Sequence, residues 1–347
     1  MERASIYRIA ELAKVSIGTV DRALHGRAGI SEATRKKVLR IAKRIEYTPH
    51  LAARTLSTGR SSVRIGVCIP KEIHFYYDQM RAGILDEARR SNGLGVEIDY
   101  RPAPIFGKGE KDQVAELLDS GVSAIIVTPG DPSSVTPVIN RAEKQNVRVI
   151  CTTTDAPRSH RTSVVCVNPE VNGQLAAELM SKFVAADAKV AVITGMLTSE
   201  DHRAKTEAFL SGFKKDCPGG EVISVLEAHE SEGESYRKTC ELLEQRAELR
   251  GIYVNTVNCL PVCRALRDLK RAGDVHLITS DLFREMVPYF KRGTIRASIY
   301  QDPFLQGQTA VRVLVDHLLI GTAIPGACYL NPGIVLRSNL SLFREAN

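Results

Sequence analysis

The sequence predicts two different structures in one chain: a small all-α domain, followed by an α/β region of two doubly wound parallel-sheet subdomains. Apolar residues recur at helical spacing within the first fifty residues. Positive charge is concentrated in the same segment. From residue 63 onward, short apolar runs alternate with amphipathic helical stretches, which is the pattern of parallel sheets covered by helices on both faces.

Two short helices are predicted near the start of the chain. Apolar residues between Ile6 and Ala13 are spaced as on one face of a helix. After a break, Ser16 is placed to cap a second helix, because its side-chain oxygen can accept a hydrogen bond from the backbone N–H near Thr19. The second helix turns apolar residues inward and leaves an outward face that includes Arg22. This arrangement describes a helix-turn-helix.

A third helix is predicted from Glu32 to Ile45, with Ser31 as its cap. Its core stripe consists of Val38, Ile41, Ala42 and Ile45. Lys14 occupies the turn between the first two helices, where many helix-turn-helix units have glycine. A left-handed backbone at a residue other than glycine costs roughly 1 kcal/mol, which a folded domain tolerates.

The charge distribution separates this segment from the rest of the chain. Residues 1–60 contain 13 Lys and Arg against 5 Asp and Glu, whereas residues 61–347 contain 34 against 35. A small satellite domain with a solvated basic face is the alternative interpretation. Solubility, however, does not require that all the excess positive charge sits in one sixth of the chain, whereas a phosphate-binding surface does. We therefore predict double-stranded DNA as a partner.

Spacing and residue type from Ile6 to Leu56 resemble, without a gap, the DNA-binding headpiece of the LacI/GalR family of bacterial repressors. The matching positions are Ile9-Ala10, Val15-Ser16, Thr19-Val20, Arg22, Ser31, Thr34-Arg35, Val38, Tyr47 and Pro49. The resemblance implies DNA contacts by Ser5, Tyr7, Ser16, Ile17, Gly18, Thr19, Arg22, His25, Thr34, His50, Ala53 and Leu56.

Within this set, Ile17 and Arg22 are expected to read the bases. Arginine can grip O6 and N7 of guanine, and an apolar side chain can meet the methyl group of thymine. Gly18 removes a side chain from a base-reading position. Asp21 replaces a more usual small hydroxyl residue and would repel phosphate unless it pairs with a cation or a cytosine amine.

A linker is expected at residues 49–62, between a headpiece at 1–48 and an effector-binding and dimerisation domain at 63–347. Pro49 ends the third helix. The eight residues His50–Ser57 are too few for a stable helix in water by themselves. The resemblance implies a hinge helix that is ordered on operator DNA, in which Leu56 wedges between base pairs in the minor groove. An ordinary flexible linker is the alternative.

Ten strands are predicted after the linker: Ile65–Ile69, Val96–Tyr100, Ala124–Val127, Val147–Cys151, Ser163–Val167, Val190–Thr194, Glu221–Leu226, Gly251–Val254, Val275–Thr279 and Ile295–Ile299. Helices separate most of them, for example Tyr77–Arg90, Asp112–Ser120, Asn172–Ala185, Arg203–Lys215, Leu260–Arg271 and Leu305–Ile320. We assign about 63–162 and 293–320 to an N-subdomain, and about 163–292 and 321–340 to a C-subdomain.

The residues that follow these strands are polar or aromatic. Because ligands of open α/β sheets bind beyond the carboxyl ends of the strands, we expect a ligand cleft between the subdomains. Carboxylates, amides, basic groups and flat rings suit a small polyhydroxylated or polar ligand. Taken singly, these residues could equally be helix caps, solvated carboxylates or core aromatics. The candidates are Phe75, Tyr76, Tyr77, Asp155, Arg161, Asn168, His202, Lys205, Asn255, Asp281 and Gln301.

The segment from Val63 to Leu340 resembles a type I periplasmic-binding-protein domain, the usual effector domain of LacI-type repressors. Tyr76 and Tyr77 stand where that family places its stacking aromatic residues. Asp155 matches its sugar-binding aspartate, and the segments around Asp281 and Gln301 match two further ligand-contacting loops. Where sugar binders often carry an arginine, the resemblance leaves either Arg203 or Lys205 to fill the role.

Other classes of protein fit the sequence less well. The first residues are not followed by an apolar signal region, and no run approaches 18 apolar residues, so we expect neither secretion nor a membrane span. The eight cysteines are expected to be buried thiols of a cytoplasmic protein. Cys259 and Cys263 lie one helical turn apart but lack the partners of a zinc site. We expect no metal ion and no cofactor.

The sequence therefore predicts a homodimeric, sequence-specific DNA-binding regulator, a repressor released from a palindromic operator by a small carbohydrate-like effector. The same architecture with a non-sugar effector or a co-repressor, such as a purine or an amino acid, is an alternative. A solute-binding transport protein would need an export signal and would not use the basic headpiece. An enzyme acting in the cleft is disfavoured, because the sequence has no Ser-His-Asp order, metal cluster or phosphate-cradling glycine loop.

Overall fold

The computed structural model describes residues 6–24, 28–44, 63–91 and 95–343. The chain divides into two compact units, Met1–Ser62 and Val63–Asn347, and each is described by itself. In the first unit, helix α1 spans Ile6–Ala13, α2 spans Ile17–Leu24 and α3 spans Glu32–Arg44. Their shared core consists of Ile9, Ala10, Ala13, Val20, Ala23, Val38, Ile41 and Ala42. The helix-turn-helix and its third helix are therefore confirmed.

Local polar contacts fix the starts of the second and third helices. The backbone N–H of Thr19 donates to Oγ of Ser16 at 3.2 Å, and the N–H of Thr34 donates to Oγ of Ser31 at 3.2 Å. Both predicted caps are therefore present. Lys14 has a φ of 55°, so the turn between α1 and α2 holds a left-handed lysine, as the sequence predicts.

The second unit alternates strands and helices throughout. Its first part consists of β1 Val63–Cys68, α4 His74–Arg90, β2 Val96–Tyr100, α5 Glu110–Asp119, β3 Ala124–Val127, α6 Pro132–Lys144, β4 Arg148–Thr152 and β5 Ser163–Val167. Its second part consists of α7 Pro169–Phe183, β6 Lys189–Thr194, α8 Glu200–Asp216, β7 Glu221–Glu227, α9 Glu232–Gln245, β8 Leu249–Val254, α10 Cys259–Asp268, β9 His276–Ser280, a 3₁₀ turn Arg284–Met286, α11 Val287–Arg292 and β10 Ile295–Tyr300.

The last part of the unit returns to both sheets. It consists of α12 Pro303–Val315, a π-helical turn Asp316–Ile320, β11 Cys328–Leu330, β12 Gly333–Val335 and a 3₁₀ segment Arg337–Leu342. One sheet has the strand order β11-β5-β4-β3-β1-β2, and the other has β12-β10-β9-β8-β6-β7. All neighbouring strands are parallel except β10 and β12. The fold class, with two doubly wound sheets, is as predicted, and we call the two halves the first and second lobes.

The predicted subdomain boundaries are wrong. Ser163–Val167 pairs with β4 in the first sheet, and Ile295–Tyr300 pairs with β9 in the second. Helix α12 packs on α4 of the first lobe, and Cys328–Leu330 pairs with β5 there. The chain therefore crosses between lobes after β5, after β10 and between β11 and β12. Hydrophobic alternation identifies a strand but carries no information about which sheet it joins, so the sequence could not place these crossings.

Element bounds differ from the predicted ones for local reasons. All ten predicted strands are present within two residues of their expected ends. Helix α7 begins at Pro169, three residues early, because the side chain of Asn168 accepts hydrogen bonds from two backbone N–H groups of its first turn. Because the first turn of α7 is mostly polar, the sequence has no apolar periodicity there from which the start of the helix could be predicted. Strands β11 and β12 have three residues each, too few to show alternation.

Two glycines allow helices α4 and α12 to pack closely. A Cβ atom on Gly83 would overlap the backbone carbonyl of Phe304, and one on Gly307 would overlap the carbonyl of Met80. Backbone atoms at such a contact cannot move aside as a flexible side chain would. The approach of the two helices therefore depends on the missing side chains.

We predict that Gly83→Ala lowers the free energy of unfolding by roughly 1–3 kcal/mol, because overpacking forces the two helices apart. Gly233→Ala on α9 is the control, since its new methyl group would have only Oγ of Ser231 nearby, at 3.9 Å. Urea unfolding followed by circular dichroism measures both variants. Equal stability of the two alanine variants would contradict the close packing.

Candidate functional site

The exposed face of α2 brings together the residues that were predicted to read DNA. The side chain of Ile17 is 43% exposed, and Gly18 and Arg22 are also exposed, whereas Val20 and Ala23 are buried on the opposite side. Oγ of Ser16 and Oγ1 of Thr19 lie 2.9 Å apart at the start of the helix. An apolar group and a guanidinium group are thus exposed on one face of α2.

Of the remaining residues that are predicted to contact DNA, the structure describes only some. Thr34 is half-buried, and its Oγ1 lies 2.8 Å from Oγ of Ser31 in the cap of α3. The predicted contacts that lie outside the described residues are Ser5, His25, His50, Ala53, Leu56 and the linker 49–62, together with the side chain of Tyr7.

The second unit has a cavity between its lobes, at the carboxyl ends of the strands. It encloses about 390 Å³, including its open mouth. Seven of the predicted ligand residues line it: Tyr76, Tyr77, His202, Lys205, Asn255, Asp281 and Gln301. The rule that ligands bind beyond the carboxyl ends of the strands, which we call the strand-end rule, therefore leads to a concave site in the fold.

A buried lysine lies at the centre of this site. The ammonium group of Lys205, which is 1% exposed, donates to Oδ2 of Asp201 at 2.7 Å and to Oε1 of Gln301 at 2.8 Å. Asp201 lies in the first turn of α8, where the helix dipole favours a carboxylate. Arg203, the other candidate for a basic ligand contact, is exposed and pairs with Glu200 and Glu207. Of these two basic residues, only Lys205 lines the cavity.

Asp281 is the carboxyl group that burial perturbs most clearly. Both of its side-chain oxygens accept from Nε2 of Gln301, at 2.9 and 3.1 Å. Burial is the main cause that raises the pKa of Asp281 from 3.8 to about 7; the charges of Asp201 and Glu230 act in the same direction, and Lys205 and the hydrogen bond from Gln301 oppose it. This group therefore titrates close to neutral pH.

His202 and Glu230 form a second polar cluster in the cavity wall. The backbone N–H of Met196 donates to Nδ1 of His202 at 3.1 Å, so we assign the ring proton to Nε2, which lies 3.4 Å from Oε1 of Glu230. Glu230 also accepts from Oγ1 of Thr256 at 2.7 Å and from Nδ2 of Asn258 at 3.1 Å. The histidine is therefore an oriented, neutral donor toward a carboxylate that protein hydrogen bonds hold in place.

Aromatic rings form the opposite wall. The rings of Tyr76 and Tyr77 are 5.1 Å apart and nearly perpendicular, and the ring of Phe106 lies 5.9 Å from that of His202. The hydroxyl of Tyr76 accepts from Nε2 of Gln306 at 2.9 Å. Burial, followed by the charge of Asp281, raises the pKa of Tyr76 well above its usual value, so its hydroxyl stays neutral.

Backbone strain is concentrated at this cavity. Four residues that line it are not glycine and yet have a positive φ: Ile73 at 59°, Thr153 at 68°, Glu230 at 53° and Asp281 at 66°. Such a conformation is rare, above all for β-branched residues, and it persists only where the surrounding structure enforces it. Strain of this kind is typical of binding sites.

Four predicted ligand residues are placed elsewhere. Phe75 stacks on Phe283 of the second lobe, with ring centroids 4.2 Å apart, and does not line the cavity. Asp155 forms a bidentate ion pair with Arg161, and Asn168 caps α7. Asp155 and Asn168 face an adjoining hollow, which is lined also by Tyr329 and shares Thr153, Thr154 and Asp201 with the cavity.

The reason for the displacement of Asp155 is the left-handed turn at Thr153. This turn directs Thr153 and Thr154 toward the cavity and carries Asp155 past it. Asp155, with its partner Arg161, and Asn168 therefore lie beside the cavity that the other seven candidates line.

Sequence reasoning also missed residues that line the cavity. They are Ile73, Phe106, Thr153, Thr154, Ser199, Asp201, Glu230, Thr256 and Val257. Asp201 directly precedes the candidate His202 after β6, and Glu230 follows β7, so both belong to the polar positions beyond the strand ends. Phe106 lies in the loop between β2 and α5, and no polar residue pattern in the sequence marks it.

Comparison with known proteins assigns both units. Residues 65–322 match the family model described as "Periplasmic binding protein domain", and residues 5–50 match "Bacterial regulatory proteins, lacI family". The chain is 27% identical over 271 residues to catabolite control protein A of Staphylococcus epidermidis, covering 78% of this chain and 77% of that protein. It is 31% identical over 141 residues to the protein of the same name from Staphylococcus xylosus, covering 40% of this chain and 41% of that protein.

Solved structures share the fold. A glucose-galactose binding protein from Geobacillus stearothermophilus has a TM-score of 0.74 and 22% identity, covering 80% of this chain and 99% of that one. A transporter solute-binding protein from Burkholderia graminis, in complex with D-arabinose, has a TM-score of 0.76 and 22% identity, covering 82% and 98%.

The chain belongs to the periplasmic-binding-protein domain family. With its lacI-family headpiece it is a DNA-binding transcriptional regulator. In the part of the chain that the structure describes, no helix is long and apolar enough to cross a membrane.

We predict that the titration of Asp281 shapes the pH dependence of stability. Because its pKa in the folded protein, about 7, lies above its ordinary value of 3.8, its contribution to stability is lost as the pH rises through 7. Asp281→Asn should therefore remove about 1.4 kcal/mol of the wild-type difference in unfolding free energy between pH 6 and pH 8.

Urea titrations at the two pH values measure this difference. Asp216→Asn, at an exposed position near the end of α8, is the control and should behave as wild type. If Asp281→Asn kept the full pH dependence, the carboxyl group would not titrate in this range.

Proposed function

We propose that the protein is a cytoplasmic, homodimeric repressor that leaves a palindromic operator when a small polyhydroxylated, carbohydrate-like effector binds the cavity between its lobes. The observation that carries the proposal is the composition of that cavity. Carboxylate, amide, ammonium and hydroxyl groups, all buried, lie opposite tyrosine and phenylalanine rings. Polar side chains can bind ligand hydroxyls, while aromatic faces cover C–H surface.

The comparisons support this proposal at the level of the class. The similar structures include proteins named for binding glucose, galactose or arabinose. The similar curated protein from Staphylococcus epidermidis is named for catabolite control. Neither name identifies the effector of this chain, but both fit a regulator whose ligand is a small carbohydrate. Binding and regulation, without turnover of the ligand, is the function that we propose.

The proposed mechanism is thermodynamic linkage between the cavity and the headpiece. The cavity wall contains Tyr76 and Thr153 of the first lobe and Lys205 and Asp281 of the second, so a ligand that contacts both lobes favours one angle between them. If DNA binding favours another angle, ligand must weaken DNA affinity, typically by about 1–3 kcal/mol. A co-repressor would use the same linkage with the opposite sign, and a DNA-binding assay with ligand distinguishes the two.

We predict that Arg22→Ala weakens binding to an operator selected from random duplex DNA by roughly 1–3 kcal/mol, because the bidentate contact with guanine is lost. Arg22→Lys keeps the positive charge but lacks the planar guanidinium group that can donate two hydrogen bonds to one base, so it should lose most of the same specificity. Arg40→Ala on α3, also exposed, is the control for loss of charge alone.

Fluorescence anisotropy on the selected operator and on random DNA measures these effects. A base-reading role requires that the loss at Arg22 is larger on the operator than on random DNA. Equal losses on the two would assign Arg22 to phosphate contacts.

We predict that Lys205→Met weakens effector binding at least about tenfold and removes the effector response of DNA binding, while operator affinity without effector stays as in wild type. Asp201 and Gln301 lose the donor that positions them in the cavity wall, whereas Lys214→Met removes an exposed lysine from the same helix and serves as the control. A thermal-shift screen of sugars and polyols identifies the effector first, since a ligand at a hundred times its dissociation constant stabilises by about 2.7 kcal/mol. A Lys205→Met protein that still responds would exclude this cavity as the effector site.

A further inference from the structure

The charges in the cavity wall do not balance. Among the described residues that line it, the carboxylates are Asp201, Glu230 and Asp281, and Lys205 is the single lysine or arginine. His202 accepts a hydrogen bond at Nδ1 from a backbone N–H, which a protonated imidazole cannot do, so it adds no positive charge. Lys205 balances only one of the charges of Asp201 and Glu230, so the cavity keeps an excess of negative charge even while Asp281 is protonated.

The same wall contains two buried acceptor atoms that receive no hydrogen bond from the described residues. Oδ2 of Asp201 accepts from Lys205, but its Oδ1 is buried and accepts no hydrogen bond from the described residues. Oδ1 of Asn255 is likewise buried without a partner, because the amide nitrogen of Asn255 faces Thr206 and the backbone of His202. Both residues are at least nineteen-twentieths buried and line the cavity. A buried acceptor without a donor is unfavourable, so a ligand with several N–H or O–H groups would stabilise this wall.

The aromatic side of the cavity favours positive charge as well. Tyr76, Tyr77 and Phe106 present rings to the same space that the three carboxyl groups border. The face of an aromatic ring attracts a cation, and the attraction grows when the site is shielded from water. Carboxylates and ring faces together are the usual surroundings of a bound ammonium group.

We propose that the effector carries a protonated amino group, so that the cavity takes an amino sugar or a related aminopolyol in preference to the neutral sugar or the sugar acid. The inference rests on the proposed function, because it concerns the effector of that same cavity. An ammonium group supplies three donors and one positive charge to a wall that is short of both. A carboxylate or phosphate on the ligand would add a further anion to the same space.

The experiment compares matched ligands on the full-length protein. Glucose, galactose and mannose are each tested as the neutral sugar, the 2-amino-2-deoxy sugar and the uronic acid, at neutral pH, by thermal shift and then by calorimetry. We expect one configuration in which the amino form binds about tenfold or more tightly than the neutral form, which corresponds to about 1.4 kcal/mol. We expect no binding of the acid forms.

A variant tests the source of the preference. Asp201→Asn removes one of the three carboxylates and keeps the size of the side chain, so the ratio of amino-sugar to neutral-sugar affinity should fall about tenfold. Asp216→Asn, exposed on the same helix, should leave the ratio unchanged. The ratio measured on the wild-type protein stands without the variant if Asp201→Asn fails to fold.

The outcomes separate this inference from the proposed function. Tightest binding by a neutral or acidic form overturns the amino-group inference and leaves the carbohydrate-responsive regulator in place. An amino sugar that binds tightly but leaves operator affinity unchanged supports the preference of the cavity for an amino group and overturns the proposed function. Absence of binding by all nine ligands overturns both.

Discussion

The buried ammonium group of Lys205 is the contact on which the cleft depends. Removing such a charge from water is costly unless strong hydrogen bonds replace hydration. Asp201, in the first turn of α8, and Gln301, at the end of β10, supply them at 2.7 and 2.8 Å. The amide nitrogen of Gln301 then reaches Asp281 after β9. One cation thereby fixes the relative positions of three chain segments that form the floor of the cavity.

Gln301 also belongs to the segment that crosses between the lobes. Its backbone carbonyl accepts from Nε2 of Gln306, and the same nitrogen donates to the hydroxyl of Tyr76 in the first lobe. Gln306 lies on α12, which packs against α4 where glycines allow backbone contact. A ligand that moves Gln301 therefore acts on a rigid helix pair of the first lobe, because a close-packed contact transmits displacement instead of absorbing it. This is a physical route from the cavity to the lobe that follows the headpiece in sequence.

The sequence predicts properties that depend on neighbouring residues. It does not predict properties that depend on contacts between residues distant in the chain. The caps at Ser16 and Ser31, the left-handed Lys14 and all ten strands follow from spacing and residue type. The sheet to which Ser163–Val167 belongs depends on pairing with β4, which periodicity does not encode. The sequence does not distinguish Arg203 from Lys205 as the basic ligand residue, because it does not show which side chains of α8 face the cavity.

Asp155 shows that the backbone conformation of a single residue can decide whether a predicted ligand residue lines the cavity. It follows a strand, as a binding residue should, yet one left-handed residue at Thr153 turns the chain and leaves Asp155 paired with Arg161 instead. Thr153 and Thr154 take the positions in the cavity wall, where they add hydroxyls and no charge. The negative charge of the cavity therefore comes from the second lobe, through Asp201, Glu230 and Asp281.

That distribution gives the chain two electrostatically opposite surfaces. The first sixty residues carry the excess of lysine and arginine that draws a polyanion, whereas the buried carboxylates of the cavity repel anions. Phosphate groups of DNA and a ligand of the cavity therefore do not compete for one surface. Any influence of one on the other has to pass through the conformation of the protein, which is the condition for allosteric control rather than simple displacement.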